Sequence, residues 1–410
     1  METGEYQNLR AGLLTVRVYA STLFHPAAGA VVRIQSSSDE RTLETLVADL
    51  AGRTAVIELP APQIALSLEP QTEIRPYAEY DIVIEAAGMQ RTRVKGVQVF
   101  SGVTAEQTVV LQAEIPDQPQ AYDVYVIPPH TLWGRFAPKI PEAETKPIPP
   151  GAPELPIVPQ SIIVHLGEPG DTFAENTQLP FKQYIKNAAS CTLYPTWPKE
   201  SLRAGILALI SFALNRIYTK WYPTKGYNYD ITNSTFFDPA FAYGRNFYEN
   251  ISSLVDGLFT TYIIRNGADQ PLLAQYCSGS PMSCPRWLEL WGSTVLAGQG
   301  LNALSILRYY YGQNVTLRQA DYLAGLTFPF PGKTLTFGMI SPAVYALEEQ
   351  LNKISEHYVQ INRILPDGHF GSQTQEAVRT FQSLFGLPVT GEVDLATWYA
   401  VQSVYASLNG

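Results

Sequence analysis

From residue 11 to residue 112, apolar and polar positions alternate over short runs separated by turn residues. "LTVRVYA", "AVVRIQ", "TAVIELP", "YDIVIEAAG", "VKGVQVF" and "TVVLQ" are rich in β-branched side chains. A period of two without helical spacing predicts a small β-sandwich over residues 11–112. Further along, the period changes. In "PKESLRAGILALISFALNRIY", Leu202, Ile206, Leu209, Ala213 and Ile217 recur at spacings of three and four and predict a helix, with Pro198 at its first position. "FAYGRNFYENISSLVDGLFTTYII" repeats the stripe with Tyr248, Ile251, Val255, Leu258 and Tyr262. The stretch before the first of these helices, "KNAASCTLYPTWPKE" (186–200), reads as a loop leading into it. "PLLAQYCSGSPMSCPRWLELWGS" reads as a strand, a Cys-bracketed loop and a Trp-rich turn.

Residues 336–408 carry a third pattern. Val344, Leu347, Leu351 and Ile354 lie on one helical face of "SPAVYALEEQLNKI". "DGHFGSQTQEAVRTFQSLFG" is a glycine turn feeding a second helix, and "GEVDLATWYAVQ" is a turn with a third. Between the sandwich and the helical block, "APKIPEAETKPIPPGAPELPIVPQ" is dense in proline, which predicts an extended, exposed, semi-rigid segment open to proteolysis. The chain is therefore expected to be multidomain. A sandwich (11–112) is followed by a Pro-rich linker (113–160), a central α+β unit (161–313), a second linker (314–335) and a three-helix unit (336–408).

Composition narrows the partners. A formal net charge of −9, with no basic stripe, argues against nucleic acid. Charged residues make up 16% of the chain, and 24 tyrosines suit stacking on sugars as well as ordinary cores. "METGEYQNLRAGLLTVRVYA" has no basic stretch followed by an apolar core, so no signal peptide is expected. "GILALISFAL" has the length of a buried helix rather than a membrane span. Cys277 and Cys284 are close enough in sequence to bridge or to share a metal, but three reduced thiols is the preferred reading. No histidine lies between or beside that pair, so no metal and no cofactor is expected.

Two resemblances follow from longer motifs. "DGHFGSQTQEAVRTFQ" and "TGEVDLATW" resemble the paired signatures of a peptidoglycan-binding domain. Asp367 and Gly368 would set the turn, Phe370, Phe381 and Trp398 would wedge the helices, and Thr374 and Gln382 would line a muropeptide groove. The middle region, from "PFKQYIKN" through "YPTWPKESLRAGILALISFALNRIY", "YDITNSTFFDPAFAYGRN" and "AQYCSGSPMSCPRWLELWGS" to "ILRYYYG", resembles the SpoIID/LytB family of lytic transglycosylases. With the flanking units, nearly the whole chain is similar to SleC-like spore cortex-lytic enzymes. That resemblance implies a zymogen made in the mother cell of a sporulating bacterium, located in spore coat or cortex. A subtilisin-like germination protease would cut it near Pro150–Leu155, and cortex peptidoglycan would be its substrate.

The resemblance also implies an acid, which this chain lacks. The family loop places a catalytic Glu five residues before the Trp, and counting back from Trp197 reaches Thr192. A lytic transglycosylase uses one carboxyl group to protonate the glycosidic oxygen and then to take a proton from the sugar's 6-hydroxyl. A threonine hydroxyl does neither. Asp230 and Glu289 are the substitute acids to consider, while Glu200 in a first helical turn suits the helix dipole. Tyr243, Gly244, Tyr276, Leu290, Trp291 and Ser293 would line the cleft. Leu290 replaces a family Gln, and Arg286 replaces a family Gly. Cys191 has no base in sight, since His165 is the middle unit's one histidine and nothing places it nearby. Two readings stand: cleavage with a relocated acid, or an inactive peptidoglycan-binding paralogue.

Overall fold

The alternation in the first hundred residues builds two sheets. The computed structural model describes residues 10–409 apart from 23, 71–72, 115–121, 135–138, 281–283, 285, 321–322 and 325–327. In it, β1 (Ala11–Ala20), β2 (Val31–Ser36), β3 (Thr42–Val47), β4 (Ile57–Pro60), β5 (Ala78–Glu85), β6 (Thr92–Val99), β7 (Thr104–Leu111) and β8 (Asp123–Val126) form the N-terminal region. One sheet has the order β3-β2-β5-β6-β8. In the other, β4 pairs antiparallel and β7 parallel with β1. Leu14, Val16 and Val18 of β1 meet Val32, Ile34, Ile82 and Ile84 between the sheets. The strands absent from the sequence reading are β3 and β8. β3 is largely exposed with polar residues on both sides, so it gives no alternation to detect.

The second half begins with β9 (Ser161–His165) and β10 (Asn176–Pro180), then α1 (Phe181–Thr192), α2 (Lys199–Tyr218) and β11 (Ile231–Thr232). Next come β12 (Phe247–Tyr248), α3 (Glu249–Leu258), β13 (Thr261–Arg265), β14 (Tyr276–Cys277), β15 (Leu288–Glu289), α4 (Leu290–Gly298), α5 (Ala303–Tyr311) and β16 (Val315–Gln319). Two expectations change here. Residues 186–192 are the last turns of α1 rather than a loop, and Pro198 is the cap of α2 rather than its first residue. Ala188, Ala189 and Ser190 are small because the helix packs closely on that side, and all three are fully buried. α2 is not a striped surface helix either. Leu207, Ile210 and Leu214 are buried along with the predicted positions, and Ile217 is only partly so. A helix apolar on every side is an interior helix, and α2 touches α1, α3, α4, α5 and β13.

The segment read as a second spacer starts with β16, which pairs antiparallel with β13. The units are also joined more tightly than spacers imply. β12 adds to the edge of the sandwich sheet, with Tyr248 opposite Ala105 of β7. Asn246 Oδ1 accepts from Gln98 N (3.1 Å), and its Nδ2 donates to Gln98 O (3.0 Å). One apolar cluster runs from β1 through Phe100 and Tyr194 to Leu207 and Ile263.

The C-terminal helices are α6 (Pro342–Ser355), α7 (Ser372–Leu384) and α8 (Leu395–Asn409). Ser341 caps α6 by accepting from Val344 N (3.3 Å), with Pro342 at the first position as its fixed φ favours. Val344, Leu347, Leu351 and Ile354 are fully buried, and Phe370, Phe381 and Trp398 join them in a core of their own. Among the described residues, no helix is long and apolar enough to cross a membrane.

Candidate functional site

Thr192 ends α1 and is 1% exposed. Beside it lies the Tyr276 phenol, whose pKa burial pushes up. Above Tyr276 sits Lys139, with its ammonium 5.0 Å from that ring and 5.7 Å from the Phe212 ring. Lys139 Nζ donates to the carbonyls of Thr235 (3.2 Å) and Asp238. Burial brings its pKa down to about 7, against the pull of Asp238. The position that carries the acid in the resembling family is thus a filled pocket rather than a wall of an open cleft.

Lys139 is the first anchor of a strap. From it to Lys146 the Pro-rich segment lies across the helical block and is held at Lys139, Glu142, Glu144 and Lys146. Glu142 N donates to Gln275 Oε1 (2.9 Å), and Gln275 Nε2 returns a bond to Glu142 O (2.8 Å). Gln270 Nε2 donates to Lys146 O (3.0 Å). The carboxylate of Glu142 accepts from both terminal nitrogens of Arg216, one at 3.0 Å, and from Lys146. Burial alone would raise the pKa of Glu142, but Arg216 and Lys146 outweigh it and hold the carboxyl below its ordinary value. Glu144 accepts a side-on fork from Arg265, from Nε (3.0 Å) and Nη2 (2.6 Å). The expectation of an exposed linker fails over 139–146, where its carboxylates find guanidinium partners that sequence spacing does not reveal. Residues 147–155 are mostly exposed.

Arg216 itself is fully buried, and its Nε donates to Asp238 Oδ1 (2.7 Å). Asp238 Oδ2 accepts from Tyr222 Oη (2.5 Å), Thr232 N (3.0 Å) and Thr232 Oγ1 (2.7 Å). This saturated ion pair is the polar heart of the middle unit, and the sequence reading missed it. An Arg in a helix and an Asp before a Pro carry no local signal of pairing.

The candidate acids do not converge. Asp230 is half-buried at the start of β11, and its Oδ2 accepts from Ile163 N (2.9 Å). Burial raises its pKa, and that hydrogen bond works the other way. Glu289 is opposite Cys277 in the β14–β15 pair, one residue along from the Tyr276–Leu288 pair. Alternation sends Tyr276 and Cys277 to opposite faces, so Glu289 is turned away from Thr192. Its Oε1 accepts from Cys284 N (3.2 Å). Glu200 accepts from Ala303 N (2.8 Å) and so caps α5. Cys191 is buried against Asn187 (3.5 Å), and burial raises its pKa. His165 bonds Asn176 (2.8 Å) and stacks on Tyr229. Cys277 and Cys284 form a disulfide, in place of the reduced pair expected.

The expected cleft wall is mostly core. Leu290, Trp291 and Ser293 are 3, 7 and 1% exposed. Trp291 packs on Trp197 (4.8 Å between centroids), and Ser293 shares a hydrogen bond with Ser201 (2.7 Å). Tyr243 packs at a tilt on Tyr125 of β8 (5.3 Å between centroids), and Gly244, at φ 76°, presents its carbonyl to Gln107 (2.9 Å). That pair contacts the sandwich, not a cleft.

In the C-terminal unit, Thr374 and Gln382 are also turned inward. Thr374 donates to Glu348 Oε1 (2.7 Å), while Glu348 Oε2 accepts from the backbone N–H groups of Asp367 (3.1 Å) and Gly368 (2.9 Å). Gln382 accepts from Gly391 N (2.9 Å) and donates to Glu392 O (2.8 Å). Their capacity is spent on the two signature turns, which are thereby fixed. Asp367 is exposed, with Oδ1 accepting from His369 N (2.8 Å). Phe370 is core.

Residues 341–401 match the family model of the peptidoglycan binding domain. The chain therefore joins a sheet-rich N-terminal region to a helical C-terminal region that carries a peptidoglycan-binding domain. No curated protein matches the chain. Among solved structures, the minor pilin GBS52 of Streptococcus agalactiae is 16% identical over 28% of this chain and 49% of its own length, at a TM-score of 0.17. The 5-hydroxyisourate hydrolase of Klebsiella pneumoniae is 15% identical over 25% of this chain and 87% of its own, at 0.16. The TIE protein of Bacillus anthracis is 13% identical over 42% of this chain and 26% of its own, at 0.19. Likenesses this low carry no argument about fold or function.

Proposed function

We propose that this protein binds spore peptidoglycan, in cortex or coat, and that its middle unit keeps the frame of a lytic transglycosylase without turning glycan over. The observation that carries the reading is the peptidoglycan-binding domain at residues 341–401, with both signature turns held by buried side chains. The absence of turnover rests on Thr192. A hydroxyl stands where the resembling enzymes have their acid, and it lies in a filled pocket. Loss of a general acid costs on the order of 10²–10⁴ in rate, and here one group would serve both proton transfers. Processing near Pro150–Leu155 by a subtilisin-like protease belongs to the same proposal, supported by the exposure of that segment.

A second reading keeps the enzyme, with Asp230 as the proton donor. Its half-burial and raised pKa favour it as an acid. Both readings meet in one experiment. The full chain is incubated with decoated, insoluble cortex, then sedimentation and soluble muropeptide masses are recorded. Co-sedimentation without anhydro-muropeptides is the expected result. Anhydro-muropeptides that vanish in Asp230→Asn would establish the second reading, and no co-sedimentation would overturn both.

A further inference from the structure

A cavity of about 430 Å³ opens on the helical block, on the face where the strap crosses. Its lining differs from that of the Thr192 pocket. Tyr309, Tyr310 and Trp287 supply aromatic surface, Glu142 and Glu144 of the strap also line it, and so does the exposed Arg286. The size falls in the range of small-ligand sites, which run from about 300 to 1,000 Å³. Tyr309 is 65% exposed and sits edge-on to Tyr310 (5.0 Å between centroids), so one ring face remains open to a ligand. Tyr310 is a fixed wall. Its hydroxyl lies against Gly292, where a Cβ would overlap it.

The charges in this cavity are unequal. Glu142 is matched by Arg216 and Lys146, and Glu144 by Arg265. Arg265 also donates to Tyr311 O (2.6 Å). Arg286 forms no ion pair or hydrogen bond among the described residues. It is held at φ 65°, a left-handed conformation that a side chain adopts at a cost of order 1–2 kcal/mol. A few residues before it, the Cys277–Cys284 disulfide closes the preceding loop. An exposed guanidinium that lines one cavity with Tyr309 and Trp287 suits a ligand with an apolar ring face and a carboxylate. With Glu142 and Glu144 already matched, Arg286 is the group left to meet that carboxylate.

We propose that this cavity is a second saccharide site, which takes an N-acetylated sugar bearing a carboxylate and reads that carboxylate through Arg286. It rests on the peptidoglycan reading above and adds a contact outside the C-terminal domain. The carboxylate could come from a lactyl ether or from a stem peptide, so both sources are tested.

The full chain is titrated calorimetrically with N-acetylmuramic acid, with muramyl dipeptide and with N-acetylglucosamine, which shares the ring and lacks the acid. Arg286→Ala and Tyr309→Ala variants run beside it. Both residues are exposed, and circular dichroism checks that the fold is kept. The wild type is expected to prefer an acidic sugar over N-acetylglucosamine by about tenfold or more, as one charge-assisted hydrogen bond supplies. Arg286→Ala should remove the preference, and Tyr309→Ala should weaken all of the sugars. Preference for N-acetylmuramic acid identifies the lactyl carboxylate, and preference for muramyl dipeptide alone identifies the peptide's. Equal affinity for acidic and neutral sugars, or a preference unchanged in Arg286→Ala, overturns the proposal. No binding of any sugar, with full-chain retention on insoluble peptidoglycan intact, overturns this site and leaves the C-terminal reading standing. Loss of both defeats both.

Discussion

Glu348 has no exposed surface and accepts three hydrogen bonds, two of them from the turn that opens the peptidoglycan-binding signature. Glu348→Ala would leave the buried Gly368 N without its partner and loosen the hold on Asp367 N and Thr374 Oγ1. The expected cost is about 3–5 kcal/mol, seen as an earlier denaturant transition and loss of retention on insoluble peptidoglycan. Full retention with unchanged stability would mean the turn does not depend on this carboxylate. Thr192→Glu is the matching test in the middle unit. A carboxyl placed beside Tyr276 and under Lys139 enters a filled pocket, so the variant should lose about 3–5 kcal/mol and release no anhydro-muropeptides. Release of those products at wild-type stability would show that the pocket opens to glycan. At this scale the sequence was legible for apolar residues and illegible for polar ones. Phe370, Phe381 and Trp398 sit where the pattern puts them. Thr374 and Gln382 read as ligand contacts because their partners, Glu348 and the Gly391–Glu392 turn, are set only by the folded chain.

Elements were legible where large apolar side chains recur at the element's period and obscure where small residues hide it. The α6 stripe of Val344, Leu347, Leu351 and Ile354 could be read directly, whereas the close of α1 looked like a loop because its residues are small. The strap shows the same limit. Proline density gives its extension, but its attachment depends on Arg216, Arg265, Gln270 and Gln275. A cut within 147–155 leaves strap residues 139–146 on the N-terminal piece, still held by those partners. We therefore expect the nicked protein to elute as one species on size exclusion under native conditions and to separate only in denaturant. Glu142→Ala combined with Glu144→Ala removes both forks, at about 2 kcal/mol or more, and should make residues 139–146 newly sensitive to protease. Immediate separation of the wild-type halves after the cut would show that the strap and the shared core do not hold them.

The whole molecule is tied together by carboxylates matched to buried cations, and this fixes the sign of its response to acid. Glu106 meets Arg17 (3.0 Å), which also donates to Leu384 O of the C-terminal unit (2.7 Å). Asp256 of α3 meets Lys182 (3.0 Å) and Lys186 (2.9 Å) of α1, close to Tyr399 of α8. Glu142 binds the strap to Arg216. Burial opposes ionisation in all three, and the neighbouring cations outweigh it, so each carboxyl lies below its ordinary value. For a depressed acid the stabilisation is complete above the unfolded pKa and is lost as pH falls through the folded one. Asp230, raised by burial, runs the other way, against these three. Lys139 acts in a different window. With its pKa brought down from 10.5 to about 7, its buried ammonium costs stability progressively as pH falls from 10.5 to 7. The denaturation midpoint should therefore rise from pH 7 to about 8, before the buried Cys191 thiol and Tyr276 phenol, both raised by burial, oppose it, and fall steeply below about pH 4.5, the unfolded carboxylate range. Because the sandwich and the helical block share one apolar cluster, tryptophan fluorescence and far-ultraviolet circular dichroism should report the same acid transition for both. A midpoint flat from pH 6 to pH 3 would show that these ion pairs contribute nothing to stability, and two separate acid transitions in that body would show that the shared cluster does not couple its parts.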